Sequence, residues 1–150
     1  MADTTSPSGL FEIRRQLSGL DFFKKMVAGE MPPPPLVALL GLTLVEAEAG
    51  RVTFTGVARE EFYNGMGVAH GGFAATMLDS ALGCAINTMM PAGRVFTTID
   101  LQIHYTRPLR REAGELRCTA TSEGRIVDAN GKVYAHGTTT CILVEPPRGE

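Results

Sequence analysis

The spacing of apolar positions changes at residue 42, and the change divides the chain into two kinds of structure. Between Leu10 and about Ala28, the residues Leu10, Ile13, Leu17, Leu20, Phe23 and Val27 recur three or four apart, as on an amphipathic helix. Gly19 interrupts the run, which reads equally as one helix or as two short ones; Gly29 and then Pro32 to Pro35 end it. A short helix over Leu36 to Leu40 is expected after the prolines, stopping at Gly41. From Leu42 the period shortens towards two. Leu42 to Ala47 and Val52 to Val57 read as strands joined by a turn near Ala49 and Gly50, a hairpin. A glycine-punctuated loop, YNGMGVAHGG, then leads into a helix from about Gly71 to Met89, closed by Pro91 and Gly93. Phe73, Met77, Ala81 and Ala85 form one apolar face of it, and Leu78, Leu82 and Ile86 another. A helix so apolar all round is expected to be enclosed.

Long strands follow. Val95 to Tyr105 alternates, with Val95, Thr97, Ile99, Leu101, Ile103 and Tyr105 on one side and Thr98, Asp100, Gln102 and His104 on the other. Glu115 to about Ala129 and Lys132 to Val144 flank Asn130-Gly131, the strongest short hairpin signal in the chain. The order of helix, hairpin, central helix and three antiparallel strands predicts one α+β domain over residues 1 to 150, its sheet of about five strands curled around one helix. Residues 1 to 8 and 146 to 150 are expected to be disordered. Such a sheet leaves a face and an edge uncovered, and self-association is the economical way to cover them.

Composition narrows the function. A net charge of −2 without a basic stripe argues against nucleic acid as a partner. Cys84, Cys118 and Cys141 are odd in number and far apart, which disfavours a disulfide framework or zinc site and suggests a reducing compartment. The polar start MADTTSPSG does not fit a signal peptide, and no apolar run reaches ~18 residues, so no membrane span is expected and a cytoplasmic address follows by default. His70, His104 and His136 lack ligand spacing, so no metal is expected. No G-x-S-x-G elbow supports a serine nucleophile. One charge stands out. Asp79 is the only formally charged residue between Glu61 and Arg94. An unpaired buried carboxylate costs several kcal/mol in general, so this acid is satisfied locally, as by Thr76 or Ser80, or has a task.

The string N-G-x-G-x-x-H-G-G from Asn64, Asp79 after six intervening residues, and TIDLQIHYTRP from Thr98 to Pro108 together resemble the hotdog-fold thioesterases. Within that superfamily the likeness is to the phenylacetate-pathway (PaaI-like) acyl-CoA thioesterases, over about Gly29 to Val144. The resemblance implies a hotdog fold, an acyl- or aryl-CoA substrate, a homodimer pairing further into a homotetramer, and no cofactor beyond the coenzyme A carried by the substrate.

Thioester hydrolysis can be set against the residues directly. It needs an activated water or a carboxylate nucleophile, and donors for the oxyanion; the thiolate leaves without a strong general acid. Asp79 is the expected base or nucleophile. Gly71, at the start of the central helix, would offer an unpaired N–H to the thioester oxygen, and the absence of Cβ at Gly71 and Gly72 would let a substrate approach, although both glycines also suit a tight entry into a helix. Asp79 lies eight residues beyond Gly71, about 12 Å along a helix. That separation favours a site shared between two copies, as the resemblance also implies. Asn64 would position water or the thioester, against the plain alternative of an Asn-Gly turn. His70 would orient the loop, and Thr98 matches the family's hydroxyl near the carboxylate. Phe62, Phe73 and Met77 are expected acyl-side walls, and Arg107, Arg110 and Arg111 a cationic rim for coenzyme A phosphates. Two alternatives stay open: a hydratase or dehydratase on the same fold, and a non-catalytic acyl-CoA-binding module.

Overall fold

The computed structural model describes residues 7–144. The disorder expected for residues 1–6 and 146–150 lies outside the described residues, whereas residues 7 and 8 already belong to a helix. The helical half consists of α1 (Pro7–Gln16), α2 (Gly19–Val27) and α3 (Pro35–Leu39). Gly19 settles the choice in favour of two helices. Ser18 caps α2, its Oγ accepting from the Asp21 N–H at 3.1 Å. The Gly19 N–H donates to the Met90 carbonyl at 2.9 Å, and a Cβ at Gly19 would lie 1.6 Å from the Asn87 carbonyl oxygen. Only glycine permits this approach to the end of the central helix, so the break in the apolar period is the trace of a tertiary contact.

Six strands form one antiparallel sheet: β1 (Thr43–Glu48), β2 (Arg51–Val57), β3 (Val95–Tyr105), β4 (Glu115–Ala120), β5 (Gly124–Val127) and β6 (Val133–Val144), in the order β1-β2-β4-β5-β6-β3. The single strand expected over Glu115 to Ala129 is two, folded at a turn where the Thr121 N–H donates to the Glu123 carbonyl at 3.0 Å. The run Ser122-Glu123-Gly124 supplies that turn, and Gly124 is buried against Leu78, whose Cδ2 would lie 2.9 Å from a Cβ there.

The alternation expected for β3 also needs correction. Its pairing with β6 slips by one residue between Thr98 and Asp100, so Ile99 is an extra residue that bulges outward and is exposed. The phase of the strand therefore changes there. Thr98 shares the inner face with Leu101, Ile103 and Tyr105 instead of opposing them: it bonds to the central helix, as Tyr105 does, while Leu101 and Ile103 pack on the core.

That central helix is α4 (Gly71–Thr88). Met77, Leu78 and Ala81 are wholly enclosed against Val52, Phe54, Leu116 and Ile126 of the sheet, each large side chain contributing roughly 1.5–3 kcal/mol. The expectation that α4 is enclosed all round fails on its other side, where Thr76, Asp79, Ser80 and Asn87 are only half-buried. The sheet curls over one face and leaves this polar-tinged stripe to be covered by something else. At the sheet margin, β3 pairs only with β6, so its long outer edge is unpaired among the described residues.

Candidate active site

His70 caps α4, its Nδ1 accepting from the Gly72 N–H at 2.9 Å, which leaves the proton of the neutral ring on Nε2. The approach is pinned by two backbone bonds, His70 N–H to the Phe62 carbonyl at 2.7 Å and Ala69 N–H to the Leu109 carbonyl at 2.9 Å. With Gly72 engaged by the cap, Gly71 is left with an N–H that has no partner among the described residues. Its carbonyl accepts from the Tyr105 hydroxyl at 3.1 Å. Both glycines sit in tight places: a Cβ at position 71 would sit 3.3 Å from the Tyr105 ring, and one at 72 would sit 3.0 Å from His70 Nδ1. Gly71, with its N–H at the positive end of an 18-residue helix, lines a cleft of about 250 Å³ together with His70, Ala74, Tyr105, Arg107 and Tyr134.

Two turns further along, Asp79 is half-buried and opens into a second cleft, of about 210 Å³, with Ser80, Cys84, Asn87, Phe96 and Thr98. Neither local candidate satisfies it. Thr76 donates instead to the Gly72 carbonyl at 2.9 Å, and Ser80 makes no hydrogen bond to Asp79. The recorded donor to the carboxylate is the Thr98 hydroxyl, 3.1 Å from Oδ1 and placed there by the β3 bulge. Nearby, burial and then the Asp79 charge push the Cys84 thiol up to about 12, so this sulfur is not a nucleophile at neutral pH. Gly71 and Asp79 of one chain thus open into different clefts.

The other expected residues divide. Asn64 serves its own turn, Oδ1 accepting from the Met66 N–H at 2.9 Å and from the Val68 N–H at 3.4 Å, while its amide NH2 has no partner among the described residues. Phe62 and Phe73 stack at 5.4 Å and, with Leu36 and Leu40, line a groove of about 300 Å³ beside Gly72. Met77 does not line it. The expected wall residue is fully enclosed, because its position on α4 faces the sheet. Arg107 and Arg110 flank a cleft of about 230 Å³ with Lys132, and Arg107 also donates to the Val133 carbonyl at 2.7 Å. Arg111 pairs with Glu60 at 3.1 Å on the open surface, where such pairs contribute little. Tyr105, Phe96 and Asn87 border the two clefts without having been singled out in the sequence. The helical spacing of Thr76, Asp79, Gly83 and Asn87 carried that signal, masked by the apolar residues between them.

Three comparisons bear on this geometry. The model of the thioesterase superfamily matches residues 66–141, just over half of the chain. The chain is similar to a phenylacetic acid degradation-related protein of Ralstonia eutropha, with 28% identity and a TM-score of 0.72, covering 81% of this chain and 98% of that one. It is also similar to a variant of the phenylacetic acid degradation protein PaaI of Thermus thermophilus, with 26% identity and a TM-score of 0.65 over 73% of this chain and 98% of that one. Among curated proteins, an inferred esterase of Halobacterium salinarum is 37% identical over 81 residues, 50% of this chain. That match spans about half of the relative's length (53%).

Proposed function

The chain belongs to the thioesterase superfamily and has its hotdog fold, with PaaI-like relatives, and we propose that it hydrolyses acyl-CoA thioesters in a site completed by a second copy of itself. One observation carries this reading: the unpartnered Gly71 N–H and the sparsely bonded Asp79 carboxylate lie eight residues apart on one helix and open into separate clefts. A reacting carbonyl needs both groups at about 3 Å, which a separation of ~12 Å within one helix forbids. Two chains, each offering the half-exposed stripe of α4 and the free β3 edge, would bring Gly71 of one beside Asp79 of the other.

In that site the Gly71 N–H holds the thioester oxygen as it gains charge. Either Asp79 takes a proton from the water that attacks the carbonyl carbon, or it attacks that carbon itself and water then hydrolyses the resulting anhydride. In both cases the C–S bond breaks, coenzyme A leaves as a thiolate that takes up the proton, and the free acid is released. Losing one oxyanion donor typically costs ~3–4 kcal/mol. Thr98 orients the carboxylate. The free NH2 of Asn64 is available to the thioester or to water. Phe62 and Phe73 wall the acyl group, and Arg107, Arg110 and Lys132 offer charge to the phosphates of the carrier. A hydratase would need a histidine at the acid, yet His70 is committed to the helix cap and the recorded donor to Asp79 is a threonine.

The test combines a thiol-release screen over acyl-CoA esters with subunit mixing. Asp79→Asn and Gly71→Val proteins are each expected to be inactive. Co-assembled at equal amounts, they should recover about a quarter of wild-type activity, since half of randomly paired dimers hold one intact site of two. No recovery on mixing would place the whole site within one chain. No thiol release from any ester would remove the hydrolase reading itself.

A further inference from the structure

The Asp79 cleft does not end at the carboxylate. It continues along α4 to Asn87, two turns on, past Gly83, which leaves the floor bare, and beside the ring of Phe96, 3.5 Å from where a Gly83 Cβ would stand. The far end is fixed by an unusual clamp. Arg14 of α1 is buried, and both its Nε, at 3.2 Å, and its Nη2 donate to the single Oδ1 of Asn87, while Nη1 donates to the Leu17 carbonyl at 2.7 Å. A guanidinium has donors only, so the oxygen of the amide must face it and the orientation of Asn87 is not free to flip. The NH2 then has no partner within the described residues and is left for the cleft that Asn87 lines.

We propose that Asn87, held by Arg14, is the specificity-determining residue for the acyl group, taking chains of about five carbons that end in a hydrogen-bond acceptor. The inference rests on the hydrolase reading, with Asp79 at the thioester. The length follows from the helix: ~12 Å separates positions 79 and 87 along the axis, ~3 Å is needed between the carboxylate and the carbonyl carbon, and ~3 Å for the terminal hydrogen bond. About 6 Å remains. A donor fixed in advance discriminates strongly, because a substrate without an acceptor leaves the NH2 desolvated and unpaired.

Two esters of equal length separate the possibilities: 5-oxohexanoyl-CoA, which ends in a carbonyl acceptor, and 5-methylhexanoyl-CoA, its alkyl counterpart. Wild-type protein is expected to prefer the oxo ester by about tenfold or more in kcat/KM. Asn87→Asp keeps the Arg14 clamp through its carboxylate but replaces the cleft-facing donor with an acceptor, so the ratio should fall to one or below. Because the readout is a ratio, a general loss of activity cancels. Arg14→Met leaves Asn87 in place and unclamped, and should lower the ratio part of the way, mainly through KM for the oxo ester. Affinities of both esters for the Asp79→Asn protein supply a readout independent of turnover. Hydrolysis of both esters with no preference, or a preference unchanged in Asn87→Asp, overturns the assignment of Asn87 alone. A binding preference that depends on Asn87 in a protein that hydrolyses nothing would sink the hydrolase reading and keep the acyl-end assignment.

Discussion

Two aspartates show how the same side chain is enclosed by donors in one place and left open in another. Asp128, at the β5–β6 hairpin, is saturated: Oδ1 accepts from the Asn130 and Lys132 N–H groups at 2.9 and 3.0 Å, and Oδ2 accepts from the Tyr134 hydroxyl at 3.2 Å. The Lys132 N–H first, and the other donors after it, hold this carboxyl below the usual carboxylate range. Asp79 has one recorded donor, the Thr98 hydroxyl, and a cleft in front of it. Neither acid has a salt-bridge partner among the described residues, and the charge of Lys132 adds only the smallest of the effects at Asp128. The number of fixed donors distinguishes them: a fully served carboxylate is a strut, and one served by a single hydroxyl keeps lone pairs for a substrate or water.

The largest expected effect tests the unsaturated acid. Asp79→Asn should lower kcat by ~100-fold or more with Tm within a few degrees of wild type, measured by thiol release and thermal melts. A large fall in Tm with residual activity would make Asp79 a strut after all. Next, Thr98→Val removes the one donor and should reduce kcat/KM by about five- to tenfold, the loss of one hydrogen bond. Asp128→Asn should do the reverse of Asp79→Asn, lowering Tm by several degrees while leaving hydrolysis unchanged. The smallest effect concerns pH. Because the folded carboxyl of Asp128 sits lower than the unfolded one, its stabilisation is complete above the unfolded value of about 4 and is lost as pH falls through the folded value. Melts from pH 6 downwards should therefore show the gap between wild type and Asp128→Asn closing only at the acid end.

Much of this was legible from spacing alone. Asn130-Gly131 announced the last hairpin, the change of period at Leu42 separated the N-terminal helices from the first hairpin, and the isolation of Asp79 drew attention to the helix that the sheet wraps. What remained hidden depended on contacts between distant segments. Gly19 reads as a local breaker, but its reason is Asn87, far along the chain. Met77 reads as a pocket wall because it is large and near the acid, yet 100° per residue turns it to the sheet. Asp128 gave no sign of its role, because a side chain that satisfies its own turn looks like any acid beside Asn-Gly. For Thr98, strict alternation put the hydroxyl on the wrong side, and only the family resemblance brought it near the carboxylate that it meets.

The bulge at Ile99 makes the register of this strand a matter of counting. Deleting that one residue would leave Thr98 opposite Cys141 and Asp100 opposite Thr140 in an unbroken ladder, with no side chain changing face. Thr98 and the trio Leu101, Ile103 and Tyr105 would then all keep their stations on the inner face. An alignment that runs a relative without the bulge through this point ungapped would equate residues from opposite sides of the sheet, and a regular strand of the same length grafted here would have to turn either Thr98 or the trio outward, in the first case leaving the acid without its hydroxyl.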